Sequence, residues 1–115
     1  MAQIEKGVKK VLREYLVKVQ KEIPVDYAVL YGSRAKGKAR PDSDIDVAIF
    51  SSKFKNKSHY SAQVVLQKCL WGMRADIQPI GYSMKDYASK NKLDFIGGII
   101  KKEGIVVCKK NKILI

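Results

Sequence analysis

The chain contains three runs in which apolar residues recur every three or four positions, and each run predicts an amphipathic helix. These apolar positions are Ile4, Val8, Val11, Leu12, Tyr15 and Val19; Ala62, Val65, Leu66, Cys69 and Leu70; and Leu93, Phe95, Ile96, Ile99 and Ile100. The first helix is predicted over residues 2–22, because Pro24 prevents it from continuing. Gly104 is predicted to close the last helix as its C-cap.

Short segments rich in β-branched and aromatic residues alternate with these helices and predict strands. They cover residues 25–32, 44–50, 73–81 and 105–109. The polar, lysine-rich stretch 51–59 is predicted to be a mobile loop, residues 83–88 to form one helical turn, and "KKNK" to be a turn before the terminal "ILI". The order of these elements predicts the α/β class, with a small mixed sheet flanked by helices.

Length, composition and charge limit the classes of function. The 115 residues predict one domain, 1–115, and no apolar run is long enough to span a membrane. The N-terminal "MAQIEKGVKK" has no apolar core of a signal peptide, so we expect a cytoplasmic protein. Cys69 and Cys108 are interpreted as buried thiols rather than zinc ligands. The net charge of +12 favours nucleotides, nucleic acid or an acidic protein as partners.

Two aspartates lie at the start of the second predicted strand, where they alternate with Ile45 and Val47. Asp44 and Asp46 therefore project from one face, with Cα atoms about 6 to 7 Å apart. Carboxylates this close repel unless cations neutralise them, and Mg²⁺ binds through such carboxylates together with substrate phosphates. If Asp76 of the third strand lies alongside, three carboxylates could hold two metal ions for phosphoryl or nucleotidyl transfer.

The residues before these aspartates are suited to phosphate. Gly32 ends the first predicted strand, and Ser33 is predicted to cap a short helix that begins at Arg34. Lys36, Lys38 and Arg40 could offset the charge of a triphosphate, although each could equally be a solvated turn residue. Asp42, beside Pro41, is interpreted as a turn or cap residue.

Gly32-Ser33, ten intervening residues and then Asp44-Ile45-Asp46 match the G-S-x10-D-x-D motif of DNA polymerase β-like nucleotidyltransferases. The chain most resembles the minimal nucleotidyltransferase (MNT) domains of bacteria and archaea. The resemblance implies that Asp44, Asp46 and Asp76 bind magnesium and that Asp76 also activates the acceptor hydroxyl. It implies that Gly32 and Ser33 hold the β- and γ-phosphates of ATP or another nucleoside triphosphate, with Lys36 as a further phosphate ligand.

Many MNT domains resemble the antitoxin half of HEPN/MNT toxin-antitoxin pairs. The resemblance therefore implies transfer of AMP from ATP to a hydroxyl, with a tyrosine of a HEPN-type toxin as a candidate acceptor. The alternative is a non-catalytic antitoxin that neutralises its partner by complex formation, although the intact carboxylates argue against it. Nucleic-acid binding is possible but not favoured, because the lysines are not interleaved with aromatic residues. Tyr82 and Tyr87 are interpreted as core or surface residues before adenine-stacking ones.

Overall fold

The computed structural model describes residues 4–37, 44–55, 58–74, 76–87, 98, 100 and 102–115. Its elements in chain order are α1 (Lys6–Glu22), β1 (Tyr27–Tyr31), α2 (Ser33–Lys36), β2 (Ile45–Phe50), a 3₁₀ turn (Ser52–Phe54), α3 (His59–Lys68), β3 (Ile77–Tyr82), α4 (Met84–Tyr87), β4 (Ile105–Lys109) and β5 (Lys112–Ile113). None of the helices in this described part is long and apolar enough to cross a membrane.

The strands form one mixed sheet in the order β3-β2-β1-β4-β5. β2 and β3 are parallel, whereas the other neighbouring strands are antiparallel. The parallel pair is connected through α3, as parallel neighbours require a crossover. The mixed sheet flanked by helices confirms the predicted fold class. β2 and β3 are neighbours, which is the arrangement that Asp76 needs to lie near Asp44 and Asp46.

The main core lies between one face of the sheet and the helices α1 and α3. Leu12, Leu16 and Val19 of α1 are fully buried there. Tyr15 is buried with them, and its hydroxyl donates to the Leu66 carbonyl of α3 at 2.8 Å. The helix begins at Lys6 rather than at residue 2, because Glu5 has an extended backbone and is the N-cap.

A second, smaller cluster covers part of the opposite face of the sheet. It contains Val29, Ala48, Phe50 and Ile100, with partly buried tyrosines around them. β2 is therefore buried on both faces towards its C-terminal end, and its polar residues are confined to its N-terminal end. The candidate catalytic residues of β2 therefore lie at its N-terminal end.

The prediction of a loop over residues 51–59 is wrong at its start. Ser52–Phe54 is a 3₁₀ turn, and Phe54 is buried in the main core, where it packs over Gly81. The single aromatic residue among lysines is thus a core residue that no local periodicity indicates. Ser58 accepts a hydrogen bond from the Ser61 N–H and caps α3, while residues 56 and 57 lie outside the described residues.

The C-terminus folds back as a hairpin. Lys110 and Asn111 have φ of 51° and 64°, as both central residues of a type I′ turn must, and they join β4 to β5. Ile113 and Ile115 pack against the main core. Two residues of the terminal tripeptide therefore cover the core, while Leu114 is exposed. The two-residue strand β5 was too short to predict.

The last predicted helix falls mostly outside the described residues. Within them, Ile100 is fully buried, and its carbonyl accepts from the Gly104 N–H at 2.9 Å. Gly104 therefore does close a helical turn. A side chain there would collide with Val29 and with the Ile100 carbonyl, so close packing explains the glycine.

Candidate active site

Asp46 lies in the middle of a row of three side chains that crosses the sheet. Its Cα partners are Tyr31 on β1 and Gln78 on β3. Asp46 is half-buried, although most carboxylates stay in water. Burial raises the pKa of Asp46, and the negative charge of Asp44 raises this pKa further. A cation beside Asp46 would oppose both effects.

Asp44 lies immediately before β2 and is exposed to solvent. The two-residue spacing of an extended chain puts it on the same face as Asp46. The negative charge of Asp44 raises the pKa of Asp46, as expected for two carboxylates at the same end of one strand. The pairing of Asp44 and Asp46 is therefore present in the structure, whereas their assignment as metal ligands stays a prediction.

Asp76 lies immediately before β3, at the same edge of the sheet. Its carbonyl accepts from the Ile45 N–H at 2.8 Å, which extends the β2–β3 ladder by one residue. Because Ile45 pairs with Ile77, Asp76 is brought alongside Asp44 on the neighbouring strand. Arg74 lies two residues before Asp76, but the described part of the chain shows no ion pair between them.

The three aspartates thus meet at one edge, but their side chains do not form a closed cage. Among the described residues, no three acidic, histidine or cysteine side chains converge on a point that could hold a metal ion. Magnesium commonly uses one or two carboxylates and completes its shell with water and substrate phosphates. The paired carboxylates Asp44 and Asp46 fit that requirement.

Gly32 is fixed against the Asp46 carboxylate. Its φ is +77°, and a Cβ built on it would lie 2.6 Å from Asp46 Oδ2. The Gly32 carbonyl accepts from the Ala35 and Lys36 N–H groups, so Gly32 is the N-cap of α2 and Ser33 is its first residue. The prediction that Ser33 caps this helix is therefore wrong, since Gly32 occupies the N-cap position. Phosphate binding by Gly32 and Ser33 stays a prediction.

Lys36, the predicted phosphate ligand, forms an ion pair with Glu103. The Nζ to Oε2 distance is 3.1 Å, and both side chains are partly exposed. No local sequence pattern indicates Glu103, because only the folded chain brings the segment before β4 next to α2. Lys38, Arg40 and Asp42 lie outside the described residues. Arg34 is turned inwards and pairs with Glu5 at 3.4 Å, which gives it a structural role.

Tyr31 is a second residue at the site that sequence analysis missed. Burial raises its pKa to about 12, with further contributions from Asp46 and Tyr82. The alternation of "YAVLY" puts Tyr27 and Tyr31 on one face of β1, and this signal could have placed Tyr31 near the aspartates.

The interpretation of Tyr82 and Tyr87 as packing residues agrees with the structure. Tyr87 stacks on Tyr27 with ring centroids 4.2 Å apart, and Phe50 stacks on Tyr82 at 5.4 Å. These rings belong to the smaller hydrophobic cluster. The sheet face that carries Asp46 therefore also carries a cluster of aromatic rings.

A small mixed sheet with paired carboxylates at the start of β2 is the arrangement of a nucleotidyltransferase domain. The chain matches the family model for polymerase beta nucleotidyltransferases over residues 12–113 and belongs to that family. A search of curated proteins finds no match.

Solved structures that resemble the chain include the following two. A candidate nucleotidyltransferase from Sulfolobus solfataricus superposes with a TM-score of 0.65 at 17% identity, covering all of this chain and 97% of that one. This likeness confirms the fold. A chain from a toxin-antitoxin structure with AMP-PNP has a TM-score of 0.44 at 19% identity over 58% of this chain and 54% of that one, which is too low to support an argument.

Proposed function

We propose that this protein transfers a nucleoside monophosphate, AMP from ATP, to a hydroxyl group in a magnesium-dependent reaction. The proposal rests on the positions of three aspartates. Asp44 and Asp46 lie at the N-terminal end of β2, and Asp76 directly precedes the neighbouring parallel strand β3. The raised pKa of Asp46 gives the physical reason. A half-buried carboxylate next to a second carboxylate is poorly stabilised as an anion, and a divalent cation would supply the missing positive charge.

Asp44 and Asp46 would hold magnesium, which supplies charge neutralisation at the phosphates when it is bound. Two ions are expected in the complete site with triphosphate. Asp46 is preorganised for this role, because its carboxylate is confined between β1, β3 and the Gly32 backbone. Asp44 is exposed and can adjust to the ion. The pair thus combines one fixed ligand with one adaptable ligand.

Gly32, Ser33 and Lys36 would bind the β- and γ-phosphates. Gly32 leaves backbone accessible beside Asp46, where no other residue would fit. Lys36 would exchange its ion pair with Glu103 for a phosphate oxygen, and its partial exposure makes this exchange sterically simple. These residues lie on the opposite side of Asp46 from Gln78 and β3, so the triphosphate and the acceptor would approach from different sides.

Asp76 would bind one metal ion and accept the proton of the acceptor hydroxyl. The hydroxyl oxygen forms a bond to the α-phosphorus, the bond from that phosphorus to the bridging oxygen breaks, and pyrophosphate leaves. Asp76 is exposed at the edge of the sheet, as a base that must meet an external acceptor has to be. A tyrosine of a HEPN-type toxin is the proposed acceptor, on the basis of the resemblance to MNT domains.

Incubation of the purified chain with magnesium and ATP labelled at the α-phosphate, with and without the protein encoded by the neighbouring gene, tests the proposal. We expect labelled protein and release of pyrophosphate, and neither product with a variant that carries both Asp44→Asn and Asp46→Asn. Tight complex formation without labelling would instead support the non-catalytic antitoxin. The absence of transfer from all four nucleoside triphosphates would contradict the enzymatic proposal.

A further inference from the structure

The outer face of α3 exposes large apolar side chains that the core does not use. Tyr60 is 78% exposed, Val64 47% and Trp71, in the turn after the helix, 74%. The opposite face of the same helix buries Ala62 and Leu66. Exposed apolar surface of this kind, concentrated on one helix face, is typical of an interaction site.

These side chains line a groove of about 360 Å³, which we call the α3 groove. Its residues are Tyr60, Gln63, Val64, Gln67, Lys68 and Trp71. Lys68 and Trp71 also line a neighbouring cavity of about 210 Å³ that includes Lys18, Lys21 and Glu22. The surface is therefore apolar at one end and basic at the other, with three lysines against one glutamate.

Hydrogen bonds from side chains to the backbone anchor the elements that carry the α3 groove. Gln63 donates to the Pro79 carbonyl at 3.0 Å and accepts from the Gly81 N–H at 2.9 Å, which fixes α3 to β3. Lys18 Nζ donates to the Trp71 carbonyl at 2.7 Å, which fixes the following turn to α1. A preformed surface loses less conformational entropy when it binds a partner.

The groove lies on the side of the sheet opposite the aspartates. α3 packs on the face formed by Ile77 and Gly81, whereas Asp46 and Gln78 belong to the other face. A partner in the α3 groove would therefore leave the candidate active site open. The groove can serve as a docking surface independent of catalysis.

We infer that the α3 groove binds an acidic amphipathic segment of another protein, with apolar side chains against Tyr60, Val64 and Trp71 and carboxylates towards the lysines. Tyrosine and tryptophan dominate the binding energy of protein interfaces. The lysines of the neighbouring cavity and the net charge of +12 favour an acidic partner. A second copy would carry the same positive charge, and the aliphatic Val64 interrupts the aromatic surface that single-stranded nucleic acid would need.

Trp71 is the only tryptophan of the chain, so its fluorescence reports on the α3 groove and the adjoining basic cavity. The probe is a designed helical peptide with leucines on one face and glutamates on both flanks, and the control peptide has lysines in place of the glutamates. Titration without magnesium or nucleotide separates this test from the proposed function. We expect the acidic peptide to shift Trp71 emission to shorter wavelength and to protect it from acrylamide, and the basic peptide to do neither.

Tyr60→Ala should weaken binding of the acidic peptide by about tenfold or more. Lys68→Glu should weaken it and allow the basic peptide to bind. Leu114→Ala removes a side chain that is 52% exposed at the C-terminus and should leave binding unchanged. Circular dichroism verifies that each variant is folded.

Several outcomes would overturn the inference. They are an acidic peptide that leaves Trp71 emission unchanged, equal binding of both peptides, and binding that is insensitive to Tyr60→Ala. A shift produced only by oligothymidylate would assign the groove to nucleic acid. A shift that grows with protein concentration alone would assign it to a second copy.

Discussion

The carboxylate of Asp46 occupies the space beside Gly32 that a side chain at position 32 would need. A Cβ on Gly32 would lie 2.6 Å from Asp46 Oδ2. Gly32 and Asp46 are close because Tyr31 of β1 pairs with Asp46 of β2, and Gly32 directly follows Tyr31. The glycine and the aspartate of the sequence motif are thus one structural unit. Neither can change without affecting the other.

Gly32→Ala should destabilise the fold and disturb the site together. The φ of +77° disfavours any residue with a Cβ, and the new methyl group would displace the Asp46 carboxylate. We expect a loss of about 1 to 3 kcal/mol in the free energy of unfolding. Urea denaturation measures this loss, and calorimetry with magnesium and ATP should show weakened binding.

Gly7→Ala is the matched control. Gly7 lies in α1, and a Cβ there would meet nothing within 4 Å. The same substitution should therefore stabilise the protein by about 0.5 to 1 kcal/mol, because alanine is the better helix former. Equal effects of the two substitutions would show that the contact between Gly32 and Asp46 has no energetic role.

Asp46→Asn should abolish binding of magnesium-ATP while it slightly stabilises the fold at neutral pH. The pKa of Asp46 is raised in the folded protein, so the folded state binds the proton more tightly than the unfolded state. The stability that this group contributes is present below the unfolded pKa and is lost as pH rises through the folded pKa. Asparagine removes this loss, so we expect the variant to be more stable than the wild type above that pKa.

Denaturation of the wild type and of Asp46→Asn across acidic to neutral pH measures this difference. Asp44→Asn serves as the comparison. Because Asp44 is exposed, this substitution should weaken metal binding but change the stability of the fold little. Added magnesium should raise the melting temperature of the wild type and leave both variants unchanged. A stability difference between wild type and Asp46→Asn that is independent of pH would contradict a raised pKa of Asp46 in the folded protein.

Asp76→Asn should reduce turnover more than nucleotide binding. If Asp76 accepts the proton of the acceptor, its loss should lower the rate by about 10² to 10⁴. Its backbone contact with Ile45 does not depend on the side chain, so the sheet edge should remain intact. Pyrophosphate release and nucleotide calorimetry, measured on one preparation, separate the two effects. Normal turnover would show that Asp76 is a surface residue.

Much of this architecture was predictable, because strong periodicity fixes which face of an element is buried. The alternation of Ile45, Val47 and Ile49 correctly placed Asp44 and Asp46 on the other face of β2. The spacing of α1 identified Val8, Leu12, Tyr15 and Val19 as buried, but it missed Leu16, which is also fully buried. The neighbouring positions of β2 and β3 followed from the requirement that their aspartates meet, and the register confirms it.

The features that sequence analysis missed depend on tertiary contacts. Phe54 is a single apolar residue in a polar stretch. It is buried because it packs against Gly81 and α3, which are distant in sequence. The ion pair between Lys36 and Glu103 joins segments that are far apart in the chain. Glycine at position 104 was correctly linked to a helix end, but its cause is packing against Val29. Local patterns contain no information about such neighbours.

Glu103→Gln and Lys36→Ala should have opposite effects on nucleotide binding. The ion pair at 3.1 Å keeps Lys36 occupied, so neutral glutamine at position 103 should free it for phosphate and strengthen ATP binding a few-fold. Lys36→Ala should weaken ATP binding by about tenfold, the value of one charge-assisted hydrogen bond. Because both side chains are partly exposed, neither variant should change stability by more than about 1 kcal/mol. Parallel losses in both variants would assign the pair a structural role.

The isolated chain should self-associate only weakly, and its stable complexes should be with a different protein. The edge strand β5 is only two residues long, begins with Lys112 and lies beside Lys109 and Lys110, features that oppose pairing of bare edges. Ile113 and Ile115 are engaged by the core, which leaves Leu114 as the exposed apolar residue of the terminal tripeptide. Since each copy carries a charge of +12, close approach of two copies is unfavourable at low salt.

Light scattering of the chain alone and with the neighbouring gene product, at low and moderate salt, measures the assembly. We expect a monomer at low salt, slight association as salt screens the charge, and a defined complex with the partner. Leu114→Ser should leave the heteromeric complex intact and reduce any self-association. A tight homodimer that is independent of salt and excludes the neighbouring protein would refute the prediction, because a buried apolar contact would then outweigh the repulsion.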